Sequence, residues 1–250
     1  MESPEHRRQF PPTRWSLILS IGAGSRCGAG AMPQREAGEF CQLYWPALYG
    51  FARRRGLTPQ DAEDATQDFF AVLLGGALLG AADPARGKMR TYLMKAFSRH
   101  LIDRARREGA QKRGGPAKAG LSAADRDWVE AALSVEDRSL PTPEIFYDRN
   151  WALSAMRHAA GRVAEAWAQS GKAVQFEAMR PFLNPGDDQP PAAEVAATLG
   201  VTPALARQMV HRLRLEFRSA LRATVAETLA DPADDRVDEE LRALKAALSA

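Results

Sequence analysis

Arg207, His211, Arg214 and Arg218 recur at spacings of four, three and four residues. On a helix this places four nitrogen-bearing side chains in one narrow arc, with Gln208 and Arg212 flanking it. Such a face reaches phosphates along its length and base edges near its N-terminal end. A guanidinium fork suits the acceptor pair of guanine, and a carboxamide pairs with adenine. Glu216 is the sole acid between residues 203 and 226, whereas an ordinary solvated face interleaves both signs. A second cationic face gathers Lys95, Arg99 and Arg106, with Arg104 and Arg107 at its end. Ile102 stands amid it, where folding alone does not call for an apolar side chain. The third constellation is acidic: Asp61, Asp64 and Asp68, with Gln67 beside them. Acids near a helix N-terminus stabilise their own helix, which accounts for Asp61 and Glu63 but poorly for Asp68. No Ser/His/Asp arrangement, metal-ligand spacing or catalytic carboxylate pair accompanies these groups. His6, His100, His158 and His211 are scattered, and Cys27 and Cys41 are too few for a zinc site or disulfide framework. The chemistry expected is recognition rather than catalysis, with no cofactor, no metal and no enzyme activity.

Those faces need helices to carry them. Helical periodicity runs through 38–56, 59–74, 88–108, 146–169, 172–182, 191–199, 203–228 and 234–248, while strand patterning is scarce. An all-α fold follows. In the segment from Pro59, Thr58 supplies a cap and Ala62, Ala65, Phe69, Val72 and Leu73 a buried stripe. In the segment from Lys88, the stripe is Tyr92, Leu93, Ala96, Phe97 and Leu101, with His100 as a packed core histidine. In the rear, Val195, Ala196 and Leu199 face inward and Gly200 ends their helix with a turn that needs positive φ. Thr202 then caps and Pro203 opens a second helix, whose stripe is Leu205, Met209, Leu213, Phe217 and Leu221, filled by Ala206, Val210 and Ala220. This is helix-turn-helix grammar. Trp151, Trp167, Leu153, Met156, Ala160 and Val163 read as core of the rear block's first helix.

Punctuation sets the organisation. Gly22–Pro33 is Gly-rich, Gly109–Gly120 is basic and flexible, and Asn184–Pro191 is a turn-rich connection. The chain divides into an N-terminal extension (1–37), a helical domain (38–108), a flexible linker (109–145), a helix-turn-helix domain (146–227) and an acidic C-terminal helix (228–250). Trp128, in the linker, can dock on either domain.

Bulk composition is that of a globular protein: 250 residues, 45% apolar and 26% charged. The net charge of +3 conceals an asymmetry. Residues 1–120 hold 19 Lys/Arg against 11 Asp/Glu, and 228–250 hold 3 against 6. A basic front half attracts phosphate backbones. No apolar run approaches a membrane span and no secretory signal is evident, so a cytoplasmic location without membrane contact is expected. Leu17–Gly30 superficially resembles a dinucleotide loop, but no helix of the right pattern, distal acid or second βα unit follows.

The pair DAEDATQDFF and GKMRTYLMKAFSRHLIDRARR resembles region 2 of bacterial sigma-70 family sigma factors of the extracytoplasmic-function (ECF) type, and the helix-turn-helix resembles their region 4. The resemblance covers about 38–108 and 146–227, in the same order and with a linker between. TRWSLIL, FYDRNWAL and the acidic end resemble a subgroup with longer termini. The resemblance implies two small helical domains, a region 2-like bundle and a region 4-like helix-turn-helix. Their partners would be core RNA polymerase and promoter DNA. Asp61, Asp64, Gln67 and Asp68 would face the β′ clamp helices, and the rear domain the β flap. Arg90, Tyr92, Lys95, Arg99, Asp103, Arg104, Arg106 and Arg107 match positions that meet the −10 element. Thr202, Ala204, Arg207, Gln208, His211 and Arg212 match the −35 helix, whose cationic arc continues through Arg214 and Arg218. An anti-sigma factor or a regulatory kinase is a further expected partner, with Thr66 as a phosphorylation position beside Gln67. The alternative is a stand-alone helix-turn-helix regulator binding an operator, which leaves the acidic ridge and the 88–107 helix without a role.

Overall fold

A computed structural model describes residues 34–75, 88–110, 142–183 and 189–249. The segments Gly22–Pro33 and Leu17–Gly30, most of the 109–145 linker with Trp128, and most of the Asn184–Pro191 connection lie outside them. The described residues form helices and turns with no strand among them, so the fold class is all-α. In chain order the helices are α1 (Gln34–Arg54), α2 (Pro59–Leu74), α3 (Met89–Ala110), α4 (Pro143–Gln169), α5 (Ala173–Met179), α6 (Ala192–Leu199), α7 (Pro203–Glu227) and α8 (Asp234–Ser249). A 3-10 turn, Arg180–Leu183, follows α5.

The chain forms two compact units. One contains the described residues up to Ser154 together with those from Ala226 onward; the other is Ala155–Val225. These units differ from the boundaries expected from punctuation. The start of α4 and the whole of α8 belong to the front unit, where Tyr147 meets Phe51 and Glu240 meets Arg90.

The front unit is built on aromatic packing. Phe40, Tyr44, Trp45, Tyr49 and Phe51 of α1 are buried despite Pro46 inside that helix. The Pro46 ring removes one backbone donor, and the side chains around it supply the offsetting burial. Trp45 and Tyr49 stack with centroids 4.9 Å apart. Phe69 of α2 meets Phe97 of α3 edge-on at 5.1 Å. Each such ring removes apolar area worth roughly 1.5–3 kcal/mol from water. Trp151, expected in the rear core, instead lies in the front unit, stacked on Tyr44 at 6.4 Å. The α2 stripe also differs: Thr66 and Phe70 are buried, whereas Val72 is 37% exposed.

Local chemistry starts α2 as its sequence demands. Thr58 has extended backbone and its Oγ1 accepts the Asp61 N–H at 3.2 Å, ahead of Pro59.

The rear unit gathers Val163 and Trp167 of α4, Phe176 and Met179 of α5, Leu183, Val195 of α6, and Val210, Leu213 and Phe217 of α7 in one core. Between α6 and α7 the chain turns through Gly200 at φ 65°. The Val201 N–H reaches the Ala196 carbonyl at 3.0 Å and the Gly200 N–H that of Ala197 at 3.3 Å. These bonds satisfy the last carbonyls of α6 in a Schellman motif. Thr202 Oγ1 then accepts the Leu205 N–H at 3.3 Å, starting α7. Leu205 itself is 44% exposed; with Ala206 buried next to it, the inward stripe of α7 begins one residue later than its leucine spacing suggests.

Candidate nucleic-acid and protein interfaces

The acidic ridge of α2 is present at the surface, with its members in different states. Asp61 is exposed but serves the helix start, its Oδ2 accepting the Thr58 hydroxyl at 2.7 Å. Asp64 and Gln67 are half-exposed, and Gln67 Nε2 donates to Glu63 at 3.4 Å. Asp68 is 67% exposed, with its Oδ2 3.4 Å from Arg104 Nη1. Thr66 lies on the opposite side, fully buried, its hydroxyl donating to the Ala62 carbonyl at 2.7 Å. The expectation of a phosphorylation position there meets a physical obstacle: no phosphate fits at this hydroxyl unless α2 first moves.

Along α3, Lys95, Arg99, Arg106 and Arg107 are exposed, and Ile102 is 47% exposed among them. That is an apolar contact flanked by cations on a single helix face. Arg107 Nε donates to the Asp103 carbonyl at 3.2 Å, and Arg106 lies 3.9 Å from the Asp103 carboxylate. Tyr92 is half-buried, and that burial raises its hydroxyl pKa, against a smaller opposite pull from Arg99. His100 is indeed packed, its ring 5.7 Å from Phe69 and stacked at 6.3 Å on Phe97.

Arg90 differs most from expectation. Its side chain is only 13% exposed, paired through Nε with Glu240 of α8 at 2.5 Å and through Nη1 with Asp148 of α4. Its guanidinium also lies 5.3 Å from the Trp151 ring centroid, and the Tyr147 hydroxyl donates to its carbonyl at 2.9 Å. Burial alone would lower the Arg90 pKa, but Glu240 and Asp148 outweigh it and raise the value. Glu240 and Asp148 escaped the sequence reading. A signal existed for Glu240: it falls between Val237 and Leu244 at spacings of three and four, inside the apolar stripe of α8. A charge in such a stripe marks a buried partner.

Thr202, just before α7, and Ala204, Arg207, Gln208, His211, Arg212 and Arg218 on it are exposed. Arg212 donates to Glu216 at 2.8 Å, and Glu216 also accepts the Trp167 indole N–H at 2.5 Å. Desolvation would raise the Glu216 pKa, but these two hydrogen bonds lower it. Glu216 is thus a bracket between α7 and α4 rather than a gap in the cationic face. Arg214 is half-buried, donating to the Phe182 carbonyl at 3.2 Å and to Gln189 at 2.9 Å. It anchors the 3-10 turn to α7 while its neighbours stay outside.

Among the described residues no cluster of His, Cys, Asp and Glu could hold a metal ion, and no helix is long and apolar enough to cross a membrane. The Cys41 thiol is pushed up to about 11 by burial, far from the reactive thiolate range.

The acidic ridge and the first cationic face lie in a stretch that matches a family model. Residues 41–111 match the model of Sigma-70 region 2; the front unit therefore contains a sigma-70 region 2 domain. No curated protein and no solved structure matches the chain.

Proposed function

We propose that this chain is a sigma factor of the ECF type, acting in the cytoplasm. It binds core RNA polymerase and directs promoter-specific initiation by recognising −10 and −35 elements. The observation that carries the reading is the region 2 match over α1, α2 and α3. It falls on the two surfaces, acidic and cationic, that an operator-binding regulator would not need.

In this reading Asp64, Gln67 and Asp68, with Asp61 nearby, meet the β′ clamp helices. The α3 face of Tyr92, Lys95, Arg99, Arg106 and Arg107 captures the opened −10 strand, where an aromatic face stacks a base and cations hold the backbone. Helix α7 acts as the recognition helix of a region 4-like helix-turn-helix, with Arg207, Gln208 and His211 towards −35 base edges and Arg212 and Arg218 towards phosphates. The rear unit also contacts the β flap. Engagement at two sites makes the whole tighter than either half. The protein needs no cofactor and performs no catalysis itself.

The test is reconstitution. The purified chain, added to core polymerase, should yield promoter-dependent transcripts. A chain that neither binds core polymerase nor initiates with it is not a sigma factor. If it binds duplex DNA alone with unchanged affinity in the presence of polymerase, the stand-alone regulator is the correct reading.

A further inference from the structure

Helix α8 docks within the front unit through Val237, Glu240 and Leu244, all buried. Two apolar residues at the ends of this stripe account for docking by area removed from water. The carboxylate at its centre does not, since an apolar side chain of similar volume there is commonly as stable or more stable than a buried ion pair. Glu240 is 1% exposed and receives two cations from the start of α3: Arg90 Nε at 2.5 Å from Oε1, and Lys88 Nζ at 2.5 Å from Oε2. Glu239, on the rim, adds a carboxylate 3.3 Å from Lys88. Two carboxylate oxygens bridging a lysine and an arginine reproduce what a phosphodiester offers: an anion with two acceptors at the spacing that a fork and an ammonium share.

We propose that α8 is an intramolecular stand-in for the backbone of single-stranded DNA. Glu240 occupies the phosphate position at Lys88 and Arg90, and strand capture by the start of α3 requires α8 to leave. The inference rests on the reading of α3 as the strand-binding helix. It adds that the C-terminal helix sets the threshold for that step. While α8 is docked, Glu240 engages both Lys88 and Arg90, and Arg90 is shared with Asp148 of α4; once α8 is displaced, Lys88 and the Nε edge of Arg90 lose that carboxylate and are open to a phosphate.

The experiment measures binding of the full chain to a fluorescent single-stranded oligonucleotide over a series of salt concentrations. Glu240→Gln keeps the shape of the side chain but removes the anion. It should raise affinity by on the order of tenfold and steepen the salt dependence by about 0.7 per phosphate newly contacted. Adding Arg90→Ala to Glu240→Gln should abolish most of the gain. Wild-type affinity and slope in Glu240→Gln, or a gain that survives Arg90→Ala, overturns the proposal. Hydrogen exchange of the wild-type chain guards against a variant that folds poorly. A saturating oligonucleotide should strip protection from α8 amides and leave α1 protected; unchanged α8 protection in the bound chain also overturns it. Capture by core polymerase, measured in parallel, judges the initiation reading separately. Failure there sinks the sigma assignment, whereas the oligonucleotide series alone decides the role of α8.

Discussion

The Asp68 carboxylate lies 3.4 Å from the Arg104 guanidinium, so the acidic ridge of α2 and the basic end of α3 meet in an ion pair. Asp68 is two-thirds exposed, and a pair of that kind contributes at most about 1 kcal/mol. Its importance is positional, since it joins the surface assigned to polymerase to the surface assigned to DNA. Asp68→Asn should therefore shift the melting free energy by less than about 1 kcal/mol while measurably weakening binding to core polymerase. A large stability loss with unchanged polymerase affinity would mark Asp68 as structural.

Asp64→Arg reverses a charge in the middle of the ridge. It should weaken core polymerase binding by about tenfold or more, because like charges facing each other across an interface are strongly unfavourable. Binding of duplex DNA by the rear unit should be unaffected. Titration of labelled core polymerase against both chains checks this, and the opposite pattern removes the ridge from the polymerase interface.

Arg207 is exposed on α7 with Gln208 and His211 beside it. Arg207→Ala should cost roughly 1–3 kcal/mol in binding to a −35 duplex and relax discrimination at one position. Polymerase capture should change little. Equal losses on all duplex sequences would instead make Arg207 a phosphate contact.

Gly200 sits at φ 65°, and a Cβ there would meet nothing within 4 Å. The cost of a side chain is thus conformational rather than steric crowding by neighbours. Gly200→Ala should destabilise the rear unit by about 1–2 kcal/mol, and Gly200→Asn by less, because asparagine visits the left-handed region more readily. Thermal melts of the two variants decide it.

Burial holds the His100 imidazole below its ordinary 6.5, reinforced by Arg107 and opposed by Asp68. Because the folded value is the lower one, the folded state binds fewer protons than the unfolded chain. Stability is therefore full above the unfolded value and declines as pH falls through the folded value. Wild-type protein should lose more stability than His100→Gln on going from about pH 8 to about pH 5. Parallel melting curves for the two chains would show that His100 titrates as an exposed residue.

Much of this protein was determined by residues close together in the chain. Thr58 with Pro59, Thr202 with Pro203, and Gly200 announce helix ends because capping and turn bonds span only a few residues, and they formed where their sequence placed them. The cationic faces of α3 and α7 are equally local, since side-chain spacing alone decides which residues share an arc. Tertiary structure decided which of those charges stay outside. Arg214 faces its own arc in sequence but is tied to the Phe182 carbonyl; Leu205 belongs to the leucine spacing but lies outside the core. Trp151 belongs to the front unit because Tyr44 stacks on it there. Arg90 meets a carboxylate 150 positions away. No periodicity encodes such a partner, because a long-range ion pair depends on how separate helices pack and not on the pattern within either one. A glutamate inside the apolar stripe of α8 signalled that a cation must be waiting, and only the fold disclosed that Arg90 and Lys88 fill that role.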